Sequence, residues 1–164
     1  MNEPREIWNG TVEHRGEQKS IRFVALPEAY CGHKIVVEEE ARDFLGHTYW
    51  RYVEWSPEKM RRQLESIIYW MLRIDEMQEA KEIWRGFNPN EERLIPYRLV
   101  ASGHSNTLGI EFESRDLLGN VIWCREPRGW LLERALPIIE QALIELSADK
   151  SLDELRKLGG LKNG

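Results

Sequence analysis

Four short clusters in this chain combine residue types that can do chemistry. Gly103-His104-Ser105-Asn106-Thr107 resembles the G-x-S-x-G turn that presents a nucleophilic serine. That turn needs a strand before it, a helix after it and glycine at its fifth position. Here the fifth residue is Thr107 and a second strand pattern follows, so a hairpin turn with His104 and Asn106 as exposed polar groups is the better reading. Cys31-Gly32-His33 sets a thiol beside an imidazole. A catalytic cysteine needs a base that reaches its sulfur and a third group that orients the base, and two-residue spacing supplies neither. No paired cysteine motif points to zinc.

His14, His33, His47 and His104 all fall on strand or turn patterns, so helix-borne metal motifs are absent. A small metal-dependent hydrolase or nuclease would have to assemble its site from separated residues such as His33, His47, His104 and nearby acids. Asp75, Glu76, Glu79 and Glu82 form one acidic set, and Glu111, Glu113 and Asp116 another. Carboxylates in pairs can hold Mg²⁺ or exchange protons, but solvated surfaces carry such runs routinely. No catalytic residue, metal or cofactor is assigned.

The strongest surface candidate is Tyr49-Trp50-Arg51-Tyr52-Val53-Glu54-Trp55. On a strand Trp50 and Tyr52 share one face, while Tyr49, Arg51, Val53 and Trp55 share the other. Both faces are aromatic, so a strand covered on one side leaves some rings exposed, beside an arginine. Such rings anchor protein interfaces or stack on bases. The alternative is a central strand covered on both faces. A net charge of −5 favours a protein ligand over nucleic acid.

The elements that position these residues read as strands, a helix, strands and helices. Glu6–His14 and Lys19–Leu26 form a hairpin, followed by a strand at His33–Glu38, a short helix or turn over Glu39–Leu45, and a strand at His47–Trp55. Ser56–Gly86 then reads as one long central helix, with Ser56 as N-cap, Pro57 at the first position and Gly86 as stop. Met60, Leu64, Ile67, Met71 and Ile74 recur at spacings of four and three along one face. Beyond Asp75 the apolar set moves to the opposite side, so the helix either breaks near Arg73–Glu76 or packs on two partners. The second partner is the chain's own sheet or another subunit, and the surplus apolar surface motivates a homodimer.

Strands at Arg93–Ser102, Leu108–Ser114 and Asn120–Arg125 follow as a meander, then a helix over Trp130–Ser147 containing Pro137. A capping box at Ser151 and Glu154 starts a last short helix, and residues 158–164 are expected to fray. Both strand groups feed a helix through Ser-Pro or Glu-Pro, hinting at a βββα unit used twice, without a residue-by-residue repeat to support it.

The 164 residues, 41% hydrophobic and 31% charged, suit one globular α+β domain. The first ten residues lack the pattern of a secretion signal, and no stretch approaches the roughly 20 apolar residues of a membrane span. Two isolated cysteines fit free thiols in the cytoplasm. Seven tryptophans, an over-apolar helix and no coherent catalytic set favour a non-enzymatic protein-binding module, such as an adapter, inhibitor or chaperone-like factor, acting as a homodimer. The alternatives are the metal-dependent enzyme and a single-strand nucleic-acid binder built on the aromatic strand.

Overall fold

The computed structural model describes residues 3–30, 32–102, 107–126 and 132–148. Strands β1 (Arg5–His14), β2 (Glu17–Tyr30), β3 (His33–Arg42) and β4 (Thr48–Val53) form an antiparallel meander that runs into helix α1 (Pro57–Met71). A 3₁₀ turn (Ile74–Glu76) leads to β5 (Lys81–Phe87), β6 (Pro96–Ser102), β7 (Thr107–Arg115) and β8 (Val121–Arg125), a second antiparallel meander, and then to helix α2 (Leu132–Leu146). The α+β class and its two strand groups are as expected. The expected C-terminal short helix lies outside the described residues.

The long central helix is not present. It starts as the sequence says: Ser56 Oγ accepts the Lys59 N–H at 3.2 Å, with Pro57 in the first turn. It ends at Leu72, and Arg73 takes the left-handed conformation (φ 52°, ψ 53°) that turns the chain away. The switch of apolar side beyond Asp75 marks this end. The residues that follow form β5, with Gly86 inside a strand instead of at a helix terminus. A second correction concerns Glu39–Leu45. Three consecutive glutamates are poor strand formers, yet β3 continues to Arg42 because cations on neighbouring strands meet them: Arg22 bonds Glu38 at 2.8 Å, and Arg51 bonds Glu39.

The strand register exposes an internal repeat. Glu6-Ile7-Trp8-x-Gly10 in β1 corresponds to Glu82-Ile83-Trp84-x-Gly86 in β5, and both strands are bulged immediately before the tryptophan. Arg22-x-Val24-Ala25 in β2 corresponds to Arg98-x-Val100-Ala101 in β6. Glu38-x-Glu40-x-Arg42-Asp43-x-Leu45-Gly46, followed by Trp50, corresponds to Glu111-x-Glu113-x-Arg115-Asp116-x-Leu118-Gly119, followed by Trp123. The shared residues make shared structure. Asp43 Oδ1 accepts the N–H groups of Leu45 and His47, and Asp116 Oδ1 those of Leu118 and Asn120. Gly46 and Gly119 take φ of 84° and 83°, which glycine adopts without strain. Arg22 stacks on Trp50 and Arg98 on Trp123, each at 4.5 Å, while pairing with Glu38 and Glu111. The repeat unit is therefore ββββα. It escapes a fixed-offset comparison because the connection from Ala25 to Ile35 is three residues longer than that from Ala101 to Leu108.

The two helices pack on each other, and α2 also reaches β3 and β5. Side chains of both sheets and both helices form one buried cluster. Met60, Leu64, Ile67, Met71 and Ile74, the residues that suggested self-association, are each 6% exposed or less and lie within it. At about 1.5–3 kcal/mol for each large apolar side chain removed from water, this stripe contributes as much as a whole domain's net stability. It is core, and Ile74 belongs to the 3₁₀ turn instead of the helix. The halves are also joined by polar contacts: Arg5 of β1 donates to the Ser147 and Ile144 carbonyls at the end of α2, at 3.0 and 3.1 Å.

In each half the Trp of the bulged strand lies over the glycine two residues later. A Cβ on Gly10 or Gly86 would collide with the indole of Trp8 or Trp84. Gly10→Ala and Gly86→Ala are each expected to lower stability by about 1–3 kcal/mol through overpacking, measured by urea unfolding. An unchanged midpoint for either would show that its indole can move aside.

Candidate functional site

The three extra residues of the first half extend the β2–β3 hairpin. Beyond Ala25 its regular register lapses, and it closes again with Tyr30 opposite His33. The extension is held by a residue of the other half. Glu140 of α2, 2% exposed, accepts the Lys34 N–H at 2.7 Å and the Ile35 N–H at 3.1 Å through Oε2. Its Oε1 lies 3.0 Å from His33 Nδ1. A buried carboxylate is tolerated only with such partners, and these fix both the strand start and the imidazole.

A second contact comes from the loop after β5. Asn90 Nδ2 donates to the Gly32 carbonyl at 3.3 Å. This loop is held by Glu91, which accepts from the Tyr97 hydroxyl at 2.9 Å and from Arg134 Nε at 3.1 Å. Burial, and then the bond to Glu91, push the Tyr97 hydroxyl up to about 12.

Beside this hairpin lies a pocket of about 290 Å³. Ile35, Val37, Val53, Met60 and Leu136 give it apolar walls, and Tyr30, Tyr52, Trp55, His33 and Glu54 supply aromatic and polar groups. The Tyr30 and Tyr52 rings meet edge to face at 5.6 Å. Trp55 packs edge to face on Phe23 at 5.7 Å, and Lys59 Nζ lies 4.1 Å over its ring. Among the residues expected at a partner surface, Tyr52 and Trp55 line this pocket. Tyr49 and Tyr52 are 47% and 44% exposed. Trp50 is half-buried beneath Arg22, and Arg51 is paired with Glu39. The aromatic strand is thus an edge strand, not the covered central strand that was the alternative. His104 and Asn106 lie outside the described residues.

The second half supplies an internal comparison. Trp50, Glu38 and Arg22 have identical counterparts there, and they hold the sheet. The pocket residues do not: Tyr52 corresponds to Arg125, Val36 to Gly109 and Val53 to Glu126, while Tyr30 and His33 belong to the longer connection. Arg125 lies across Gly109, where a Cβ would come within 2.7 Å of its guanidinium carbon. Ile35 and Val37 keep aliphatic counterparts in Leu108 and Ile110, and Leu136 comes from the second half, so the departures are concentrated in Tyr30, His33, Val36, Tyr52 and Val53. Tyr30, His33 and Glu140 were not singled out as a group from sequence; the length difference between the two β-hairpin connections is a signal for Tyr30 and His33, and none marks Glu140.

The chemical groups weighed from sequence do not converge. His33 begins β3 and His47 lies past its far end, 3.5 Å from Asp43, so β3 separates them by roughly 30 Å at about 3.3 Å per residue. Among the described residues, no three His, Cys, Asp or Glu side chains are grouped to hold a metal ion. The acidic ridge dissolves: Asp75 and Glu76 sit in the 3₁₀ turn, and Glu82 is on β5, bonded to Arg85. Glu111 is taken by Arg98 and Asp116 by its own turn. Glu140 orients His33, while Cys31 lies outside the described residues. Among the described residues, no helix is long and apolar enough to cross a membrane.

Two predictions follow the anchors of this site. Glu140→Gln removes the charge from its hydrogen bonds and is expected to destabilise by about 1.5–3 kcal/mol, with faster amide exchange at Lys34 and Ile35; unchanged exchange there would remove Glu140 as the anchor. The Tyr97 hydroxyl, whose ordinary value is 10.0, is held near 12 by folding. Its contribution to stability is complete below pH 10 and is lost as the pH rises towards 12. Tyr97→Phe should flatten that part of an alkaline unfolding profile, and an identical slope in both proteins would contradict the assignment.

Compared with protein-family models, curated proteins and solved structures, the chain matches none, so its functional reading rests on the geometry of this site.

Proposed function

We propose that the protein is a non-enzymatic protein-binding module whose site is the aromatic pocket beside β4. The observation that carries this reading is the asymmetry of the repeat: residues identical in the halves hold the fold, and two aromatic members of the pocket, Tyr30 and Tyr52, have no aromatic counterpart in the second half. Its size supports a protein ligand, since 290 Å³ is at the lower limit of small-molecule sites and suits one large side chain. Its rim supports the same reading, because exposed tyrosines supply contact area at low entropic cost and recur as binding hot spots. Adapter, inhibitor and chaperone-like roles all use such a site. Self-association through the α1 stripe is not part of the proposal, because that stripe is buried within the chain.

The test is selection of binders from a random nonapeptide library displayed on phage, followed by affinity measurement against Tyr30→Ala and Tyr52→Ala proteins of unchanged melting temperature. Truncating a hot spot is expected to weaken binding by about 2 kcal/mol or more, roughly thirty-fold. Failure to enrich any peptide, or binders indifferent to both substitutions, would refute the reading.

A further inference from the structure

We infer that the partner is recognised as an added β-strand: an extended segment pairs with the outer edge of β4, which no described strand occupies, and sets one apolar side chain, flanked by basic residues, into the pocket. This rests on the protein-binding reading of that pocket and specifies its mode. A sheet edge carries a row of backbone N–H and C=O groups whose natural complement is another extended chain. The two sheets have four edges, β1, β4, β5 and β8. β1 and β5 are interrupted by bulges before Trp8 and Trp84, a device that discourages pairing. β4 pairs with β3 without interruption from Thr48 to Val53, so its outer edge is regular. β8 is also regular but shorter, and it carries Arg125 across Gly109 where β4 carries Tyr52 beside Val36.

Side chains of an added strand alternate between the two sheet faces. One of them meets the pocket that Tyr52, Val53 and Trp55 line at the end of β4. The charge around this end selects the flanking residues. Glu54 lines the pocket, Glu58 follows Pro57 at its wall, and Glu28 lies two residues before Tyr30. All three are exposed and make no ion pair among the described residues. Lys59, in the first turn of α1, is engaged over the Trp55 ring. An apolar pocket with Glu54 in its lining, and Glu28 and Glu58 next to lining segments, complements an apolar anchor flanked by Lys or Arg.

The tightest binders from a random nonapeptide library test the mode. They are expected to share an apolar residue flanked by Lys or Arg, and replacing the flanks by Glu should weaken binding more than ten-fold. N-methylation along the peptide should alternate, with losses above ten-fold at every second residue and little change between them. Binding should slow amide exchange at alternate residues within Thr48–Val53. Binders that depend on Tyr52 but show neither the alternation nor protection on β4 would overturn strand addition and leave the protein-binding reading standing. Preference for acidic flanks would overturn the charge assignment. Binders that depend on Tyr30 alone would overturn strand addition, and absence of any binder dependent on Tyr30 or Tyr52 would overturn both it and the protein-binding reading.

Discussion

A helix buried around more than half of its circumference must be covered on more than one side, and α1 is such a helix. Met60, Leu64, Ile67 and Met71 are buried with Gln63, Ser66 and Ile68, a set that wraps well beyond a single stripe. The sheet of its own half cannot cover all of these positions. The remainder is covered because the chain repeats its ββββα unit and packs α2 against α1. The duplicated architecture is thus a solution to one burial problem, and the extra helix face is satisfied inside the molecule.

The same packing places residues of each half against the other. Arg5 of the first sheet satisfies carbonyls at the end of α2, where a helix leaves its last acceptors unpaired. Glu140 of α2 satisfies the first amides of β3. These contacts are polar, directional and buried or half-buried, so they fix how the halves are set in a way that apolar contact alone does not. The pocket inherits that rigidity. One side is the β2–β3 extension held by Glu140, and the other is the end of β4 and the first turn of α1.

Much of the fold was legible in the sequence. Alternation marked most strands, and Ser56-Pro57 marked the start of α1. The errors have local causes. Lys81–Phe87 contains Ile83 and Trp84 in succession, because a bulge interrupts period-two alternation, and the run imitates a continuing helix. The glutamates after Glu38 oppose a strand by propensity and are kept in one by arginines that are distant in the chain. The repeat is spelled in nearly identical words, yet a three-residue length difference between hairpins puts its parts out of step. Of the candidate site, the sequence pointed to the aromatic stretch Tyr49–Trp55; Tyr49 and Tyr52, on opposite faces of β4, are both exposed. The partnership of His33 with Glu140 was not legible, since it joins residues on different halves and no local pattern encodes it.

The covalent joining of the two halves has a genetic consequence. In a symmetric dimer of identical chains, any substitution appears at two places, so a tyrosine at one position and an arginine at its equivalent cannot coexist. Here Tyr52 and Arg125 do. Within one chain each repeat varies independently of the other, so one carries Arg125 across Gly109 while the other has Tyr52 and Val36 at the equivalent positions.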